Sequence, residues 1–152
     1  MSLEKLDPEA YAALLEAANG REIELLGCGS NRCTYWVVGR NIVLKVNYGG
    51  YAPLSNRAEA DLWKGTAGHS SRKRLAPCRL LKNGVLVMRL VEPARPPDTK
   101  TADWACYVDG GQGGYYRGRW VLYDYGHELY RYDEDDISTG RYRNRAWYLE
   151  AV

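Results

Sequence analysis

Between residues 22 and 92 the chain alternates short β-forming runs with turns, and a single helix interrupts them. Glu22–Leu26, Cys33–Val38 and Ile42–Val46 are rich in β-branched, aliphatic and aromatic residues, and Gly39-Arg40-Asn41 turns the second run into the third. Two further runs, Cys78–Leu81 and Val85–Leu90, are joined by Lys82-Asn83-Gly84. Connections this short permit only antiparallel pairing, because a parallel crossover needs a dozen residues or more. A helix from Asn56 to about Ala67 separates the third run from the fourth. Asn56 stands as its N-cap and Glu59 at the capping-box position. The fold class that follows is α+β: a five-stranded antiparallel sheet carrying one helix.

A further helix precedes the sheet. Asp7 is its N-cap, Pro8 lies in its first turn, Tyr11, Leu14, Leu15 and Ala18 form its apolar stripe, and Asn19-Gly20 ends it. The organisation read from these signals is an N-terminal helix (1–21), a sheet lobe (22–92), a proline-rich hinge (93–103) and a C-terminal part (104–152). Gly110–Gly114 reads as a glycine-rich loop and Trp120–Tyr123 as a strand.

With 152 residues the chain fits one domain, or one lobe with an appendage. A net charge of +2 argues against an acidic DNA mimic and does not call for nucleic acid. Cys28, Cys33, Cys78 and Cys106 form no C-x-x-C pair, and His69 and His127 stand at no ligand spacing, so zinc is not expected. No leader and no membrane-spanning run is recognised, which predicts a cytoplasmic protein with reduced thiols and no membrane partner.

Four positions could carry chemistry. Gly27-x-Gly29 lies between two strands, where glycines let backbone amides approach a phosphate or merely make a tight turn. Lys45 lies mid-strand between Leu44 and Val46. An ammonium there is costly unless paired or exposed, so it is either the partner of Glu59 or a lysine on an open sheet face. Asp124 follows the last strand in Asp124-Tyr125-Gly126. It is a metal-binding carboxylate or an ordinary turn residue.

In this order the pieces resemble the small lobe of a protein kinase. Leu26-Gly27-Cys28-Gly29-Ser30-Asn31-Arg32 is similar to the nucleotide-covering loop, with Arg32 where the third glycine would stand. Val43-Leu44-Lys45-Val46 is similar to the strand with the phosphate-pairing lysine. Asn56-Arg57-Ala58-Glu59 is similar to the helix that bears its glutamate partner, and Met88–Pro93 to the hinge. Farther on, Asp109-Gly110-Gly111-Gln112 and Asp124-Tyr125-Gly126 are similar to the catalytic-loop and D-F-G regions, with Tyr for Phe. The resemblance implies ATP and Mg²⁺ as cofactors, with Gly27, Gly29, Lys45 and Glu59 around the nucleotide, and Gln112 and Asp124 on the metal. Short kinase-like proteins ending in such a D-Y-G motif are of a bacteriophage type, which implies a host protein as partner.

The departures bear on activity. A kinase needs an Asp base and a metal-binding Asn in H-R-D-x-x-x-x-N. Here there is no His-Arg-Asp; with Gln112 at the Asn position, Tyr107 falls where the base should be, and Asp109 stands at another spacing. A complete kinase needs roughly twice this length, and the residues after Gly126 suffice for one or two short helices.

The C-terminal part alternates aromatic and basic residues: Arg117, Arg119, Trp120, Tyr130, Arg131, Tyr132, Arg141, Tyr142, Arg143, Arg145 and Trp147. These are the residue types of binding hot spots, and they also stack on bases. The run Asp133-Glu134-Asp135-Asp136 interrupts the basic residues and would repel phosphates, which places a protein partner ahead of nucleic acid. The reading is a non-catalytic kinase-like protein that binds and modulates a host protein, with no cofactor expected. The alternatives are an ATP- and Mg²⁺-dependent phosphotransferase using Asp109 as base, and a nucleic-acid-binding module.

Overall fold

The computed structural model describes residues 6–29, 31–48, 54–101 and 112–125. It is an α+β structure with two antiparallel sheets. The chain divides into two compact units: residues 1–57 with 78–90, and residues 58–77 with 91–152.

In the first unit, helix α1 (Pro8–Ala18) starts as its sequence dictates. The Asp7 side chain accepts from the Ala10 N–H at 2.8 Å, and Asn19 closes the helix at φ 50°. The five-stranded sheet has the order β1-β2-β3-β5-β4, formed by β1 (Ile23–Cys28), β2 (Arg32–Val37), β3 (Ile42–Asn47), β4 (Cys78–Leu80) and β5 (Leu86–Arg89). All five expected strands are present, shifted by one or two residues.

One sheet face is apolar. Cys33, Tyr35 and Val37 of β2 and Leu44 and Val46 of β3 join Leu6, Ala10, Leu14 and Ala18 in one cluster under α1. Alternation along the strands then puts Arg32, Thr34, Val43, Lys45 and Asn47 on the opposite face. The β4–β5 turn ties α1 to the sheet: Asn83 Nδ2 donates to the Ala13 carbonyl at 3.1 Å and to Glu16 Oε1 at 3.2 Å.

Strand β1 carries a bulge at Leu26. The register steps from Leu25↔Tyr35 to Gly27↔Thr34, and Leu26 is turned outward, 53% exposed. This single extra residue brings Cys28 opposite Cys33, and the two form a disulfide. The expectation of reduced thiols is therefore corrected for this pair. Residues directly opposite in an antiparallel pair present their side chains on one face at bonding distance, and no C-x-x-C spacing is needed.

Helix α2 (Leu54–Gly65) begins two residues before the expected cap. Asn56 is not an N-cap but a fully buried residue of the first turn, and Glu59 is fully buried as well, which removes its capping-box reading. The segment Ser70–Arg74 is a short 3-10 turn; Arg72 lies over the Trp63 ring at 3.9 Å.

The second unit holds a three-stranded sheet of order β6-β7-β8: β6 (Glu92–Pro93), β7 (Gly113–Tyr116) and β8 (Arg119–Leu122). Part of the expected hinge is thus a strand, and Gly113-Gly114, expected in a loop, lies in β7. A Cβ on Gly113 would come within 2.5 Å of the Trp120 ring, and one on Gly114 would overlap the Glu92 carbonyl. The β7–β8 turn takes Arg117 at φ 50° and Gly118 at φ 76°, the two positive φ values that a two-residue I′ hairpin demands. Leu75, Ala76, Val121, Leu122 and Tyr125 are the buried centre of this unit. Among the described residues no helix is long and apolar enough to cross a membrane.

Among the described residues, Tyr35 Oη is the buried side-chain polar atom without a hydrogen-bond partner. Burial, and secondarily the neighbouring Tyr11, raises its pKa above 10.0. A raised folded-state value means that the folded chain holds the proton longer than the unfolded one. Stability is therefore intact below about pH 10 and is lost as pH rises toward the raised value. Tyr35→Phe is expected to be neutral or stabilising by up to about 1 kcal/mol at neutral pH, because it removes an orphaned hydroxyl. It should also flatten the alkaline fall in melting temperature, read by thermal denaturation across that range.

Candidate functional site

The residues singled out in the sequence fall into two groups, one in each unit. In the first unit, Gly27 and Gly29 flank Cys28 at the end of the β1–β2 hairpin. Neither takes a positive φ. A Cβ on Gly27 would meet nothing within 4 Å, and one on Gly29 only the Arg32 carbonyl at 3.9 Å. Internal packing and turn geometry therefore do not require glycine at either position, and the space beside this backbone is open. The Gly29 N–H donates to the Arg32 carbonyl at 2.8 Å, and the Tyr48 hydroxyl donates to the Gly29 carbonyl.

Lys45 is 3% exposed, which overturns the reading of a lysine on an open sheet face. It pairs in register with Thr34 of β2 and Leu86 of β5. Around it the same sheet face gathers further buried polar residues: Asn31, Arg32, Asn47, Ser55 and Asn56. Asn56 is the centre of this group. Its Nδ2 donates to the Lys45 carbonyl at 2.7 Å and to the Gly84 carbonyl at 2.9 Å, and its Oδ1 accepts from Arg32 Nη1 at 3.1 Å. Its backbone N–H donates to Asn47 Oδ1 at 3.2 Å, so a strand residue supplies the cap for the start of α2. Asn47 Nδ2 in turn donates to Ser55 Oγ at 2.6 Å and to the Asn31 carbonyl at 3.2 Å.

Sequence reasoning missed this network. Its one available signal was Arg32, a long cation in a place that a phosphate-covering loop gives to glycine. Asn56→Ala would remove the Asn56 side-chain partner of the buried Lys45 carbonyl, the half-buried Gly84 carbonyl and Arg32 Nη1. The expected cost is about 3 kcal/mol, from ~1–3 kcal/mol per buried polar group left unsatisfied, with incomplete additivity. Urea denaturation of the variant beside the parent chain measures it.

In the second unit, the fully buried Glu59 accepts through Oε2 from the backbone N–H of Tyr125 at 3.1 Å. Tyr125 is itself fully buried and donates its hydroxyl to the Ala76 carbonyl at 2.8 Å. The Ala76 N–H closes back on the Leu122 carbonyl at 2.8 Å. Tyr125 is thereby held at two points, by the Glu59 carboxylate and the Ala76 carbonyl. Just before it, the Tyr123 N–H donates to the Gln112 carbonyl at 3.1 Å. Asp124 is half-buried. Burial first, and the Asp124 charge second, raise the Tyr123 phenol above its usual pKa.

Of the residues assigned to a partner surface, Arg117 and Arg119 are exposed. Trp120 does not join them: it is 8% exposed, and its indole N–H donates to the Ala94 carbonyl at 3.0 Å. An indole that bridges β8 to the residue after β6 is structural. Asp109, Tyr130, Arg131, Tyr132, Arg141, Tyr142, Arg143, Arg145 and Trp147 lie outside the described residues.

Tyr125→Phe is expected to cost about 1 kcal/mol through the lost hydroxyl bond, and Glu59→Ala about 3 kcal/mol because it strips a charged acceptor from a buried N–H. Chemical denaturation of the two variants separates these contributions. No family model, curated protein or solved structure matches the chain.

Proposed function

We propose that the chain is a kinase-like scaffold that acts by binding a protein partner and does not transfer phosphate. The observation that carries this reading is the Glu59–Tyr125 hydrogen bond. It ties a buried helix carboxylate to the D-Y-G segment, so that the segment is fixed by the protein's own interactions. The sheet order β1-β2-β3-β5-β4, with the helix inserted after β3 and a lysine on β3, supports the kinase-like frame. The loss of chemistry rests on the absence of His-Arg-Asp and on Tyr107 at the position of the base. Exposed Arg117 and Arg119 support a partner surface, for which Arg is a preferred residue type. With the phage-type resemblance, the partner is a host protein that the chain inhibits or redirects.

One observation favours a second reading, an active ATP-dependent phosphotransferase. Tyr123, the residue before Asp124, is bonded to the Gln112 carbonyl, and Gln112 and Asp124 are the pair that would share metal. Incubation of the pure chain with labelled ATP, Mg²⁺ and protein substrates decides between them. The scaffold reading expects no incorporation and specific capture of a host protein that survives removal of nucleotide. Incorporation that disappears in Asp124→Asn and Asp109→Ala would replace it with the second reading. Thermal unfolding with Mg-ATP tests the frame separately. About 1 mM nucleotide at ~10 μM affinity would stabilise the fold by roughly 2.7 kcal/mol, and Lys45→Ala should abolish that shift.

A further inference from the structure

The Cys28–Cys33 disulfide closes the β1–β2 hairpin across five positions, and its two sulfurs stand in different surroundings. Cys33 is fully buried in the apolar cluster with Tyr35, Leu44 and Val46. Cys28 is half-buried and packs against the same cluster from its partly exposed side. Thiol–disulfide exchange requires a thiolate to reach one sulfur, and access decides which one is attacked. Here Cys28 is the more exposed of the two residues.

We propose that Cys28–Cys33 is a thiol-exchange site whose point of attack is Cys28 and whose ligands are small thiols. A thiolate of the reagent bonds to Cys28 Sγ, the Cys28–Cys33 bond breaks, and the electron pair leaves on Cys33 Sγ, which takes a proton. A second thiol then attacks the mixed disulfide, releases Cys28 as a thiol and leaves as the oxidised reagent disulfide. In total the chain gains two electrons and two protons, and two thiols are oxidised. Once released, Cys33 remains buried among apolar side chains, away from the reagent in solution. The inference does not rest on the kinase-like reading.

Exchange has a structural consequence. The hairpin tip is also held by the Gly29 N–H on the Arg32 carbonyl and by the Tyr48 hydroxyl on the Gly29 carbonyl. Arg32 and Asn31 belong to the Asn47–Asn56 network. Opening the disulfide therefore loosens the glycine hairpin and the residues that the network borrows from it.

The test uses the full chain purified without reductant and treated with reduced glutathione. Peptide mapping by mass spectrometry should find glutathione on Cys28 and a thiol on Cys33. Hydrogen exchange should quicken by roughly tenfold for the amides of residues 23–37, with those of 78–89 unchanged. Cys28→Ser, and independently Cys33→Ala, should show the fast hairpin with or without glutathione. Glutathione on Cys33, a Cys28–Cys33 bond that stays intact, or hairpin exchange that is the same before and after reduction would each overturn the proposal, whereas two free thiols mark the completed exchange.

Discussion

The first unit depends on the Asn56 carboxamide. It is fully buried and uses both of its protons and its oxygen, on β3, on the β4–β5 turn and on Arg32 of β2. A primary amide suits this place, because it offers two donors and an acceptor at fixed angles without a charge. Every one of these contacts joins segments far apart in the chain, so the start of α2 is set by its neighbours in space. Asn47 completes the arrangement by receiving the first-turn N–H that a local cap would otherwise satisfy. In a buried setting such a network is stable only when its members are satisfied, and the hydrogen bonds among Asn47, Ser55 and Asn56 link them to one another.

In the second unit the same principle works through backbone. Asp124 and Tyr125 have no regular secondary structure, yet Tyr125 is held at its N–H by Glu59 and at its hydroxyl by Ala76. Buried polar groups without partners are costly, and each end of this residue has one. Gly113 and Gly114 serve the adjoining sheet in the opposite way, by having no side chain where the Trp120 ring and the Glu92 carbonyl pass.

The elements governed by local rules were legible in the sequence. Asp7 and Asn19 bound α1 because capping depends on the nearest few residues, and Gly39 and Gly84 end strands because their backbone takes positive φ. The helix that carries Glu59 was also legible, though not its start, because Asn56 has the chemistry of a cap and is used for something else. Strand β7 was not legible: two glycines lower strand propensity, and the crowding that demands them comes from β6 and β8. The candidate site was readable as residue types. The burial of Lys45 and Glu59, the role of Tyr125 and the polar network were not, since each depends on contacts between distant segments.

What the sequence determined by itself is the α+β class, the antiparallel pairing of its sheet strands and the positions of Lys45, Glu59 and Asp124 along the elements. Periodicity and turn chemistry act over a few residues and suffice for that. Tertiary structure alone decided that the bulge at Leu26 would turn Cys28 to face Cys33. Without that extra residue the register would set Cys28 against Arg32, and no spacing along the chain reveals a register. It also decided that Glu59 would hold the backbone of Tyr125, because a hydrogen bond across 66 positions is chosen by packing and not by sequence neighbours.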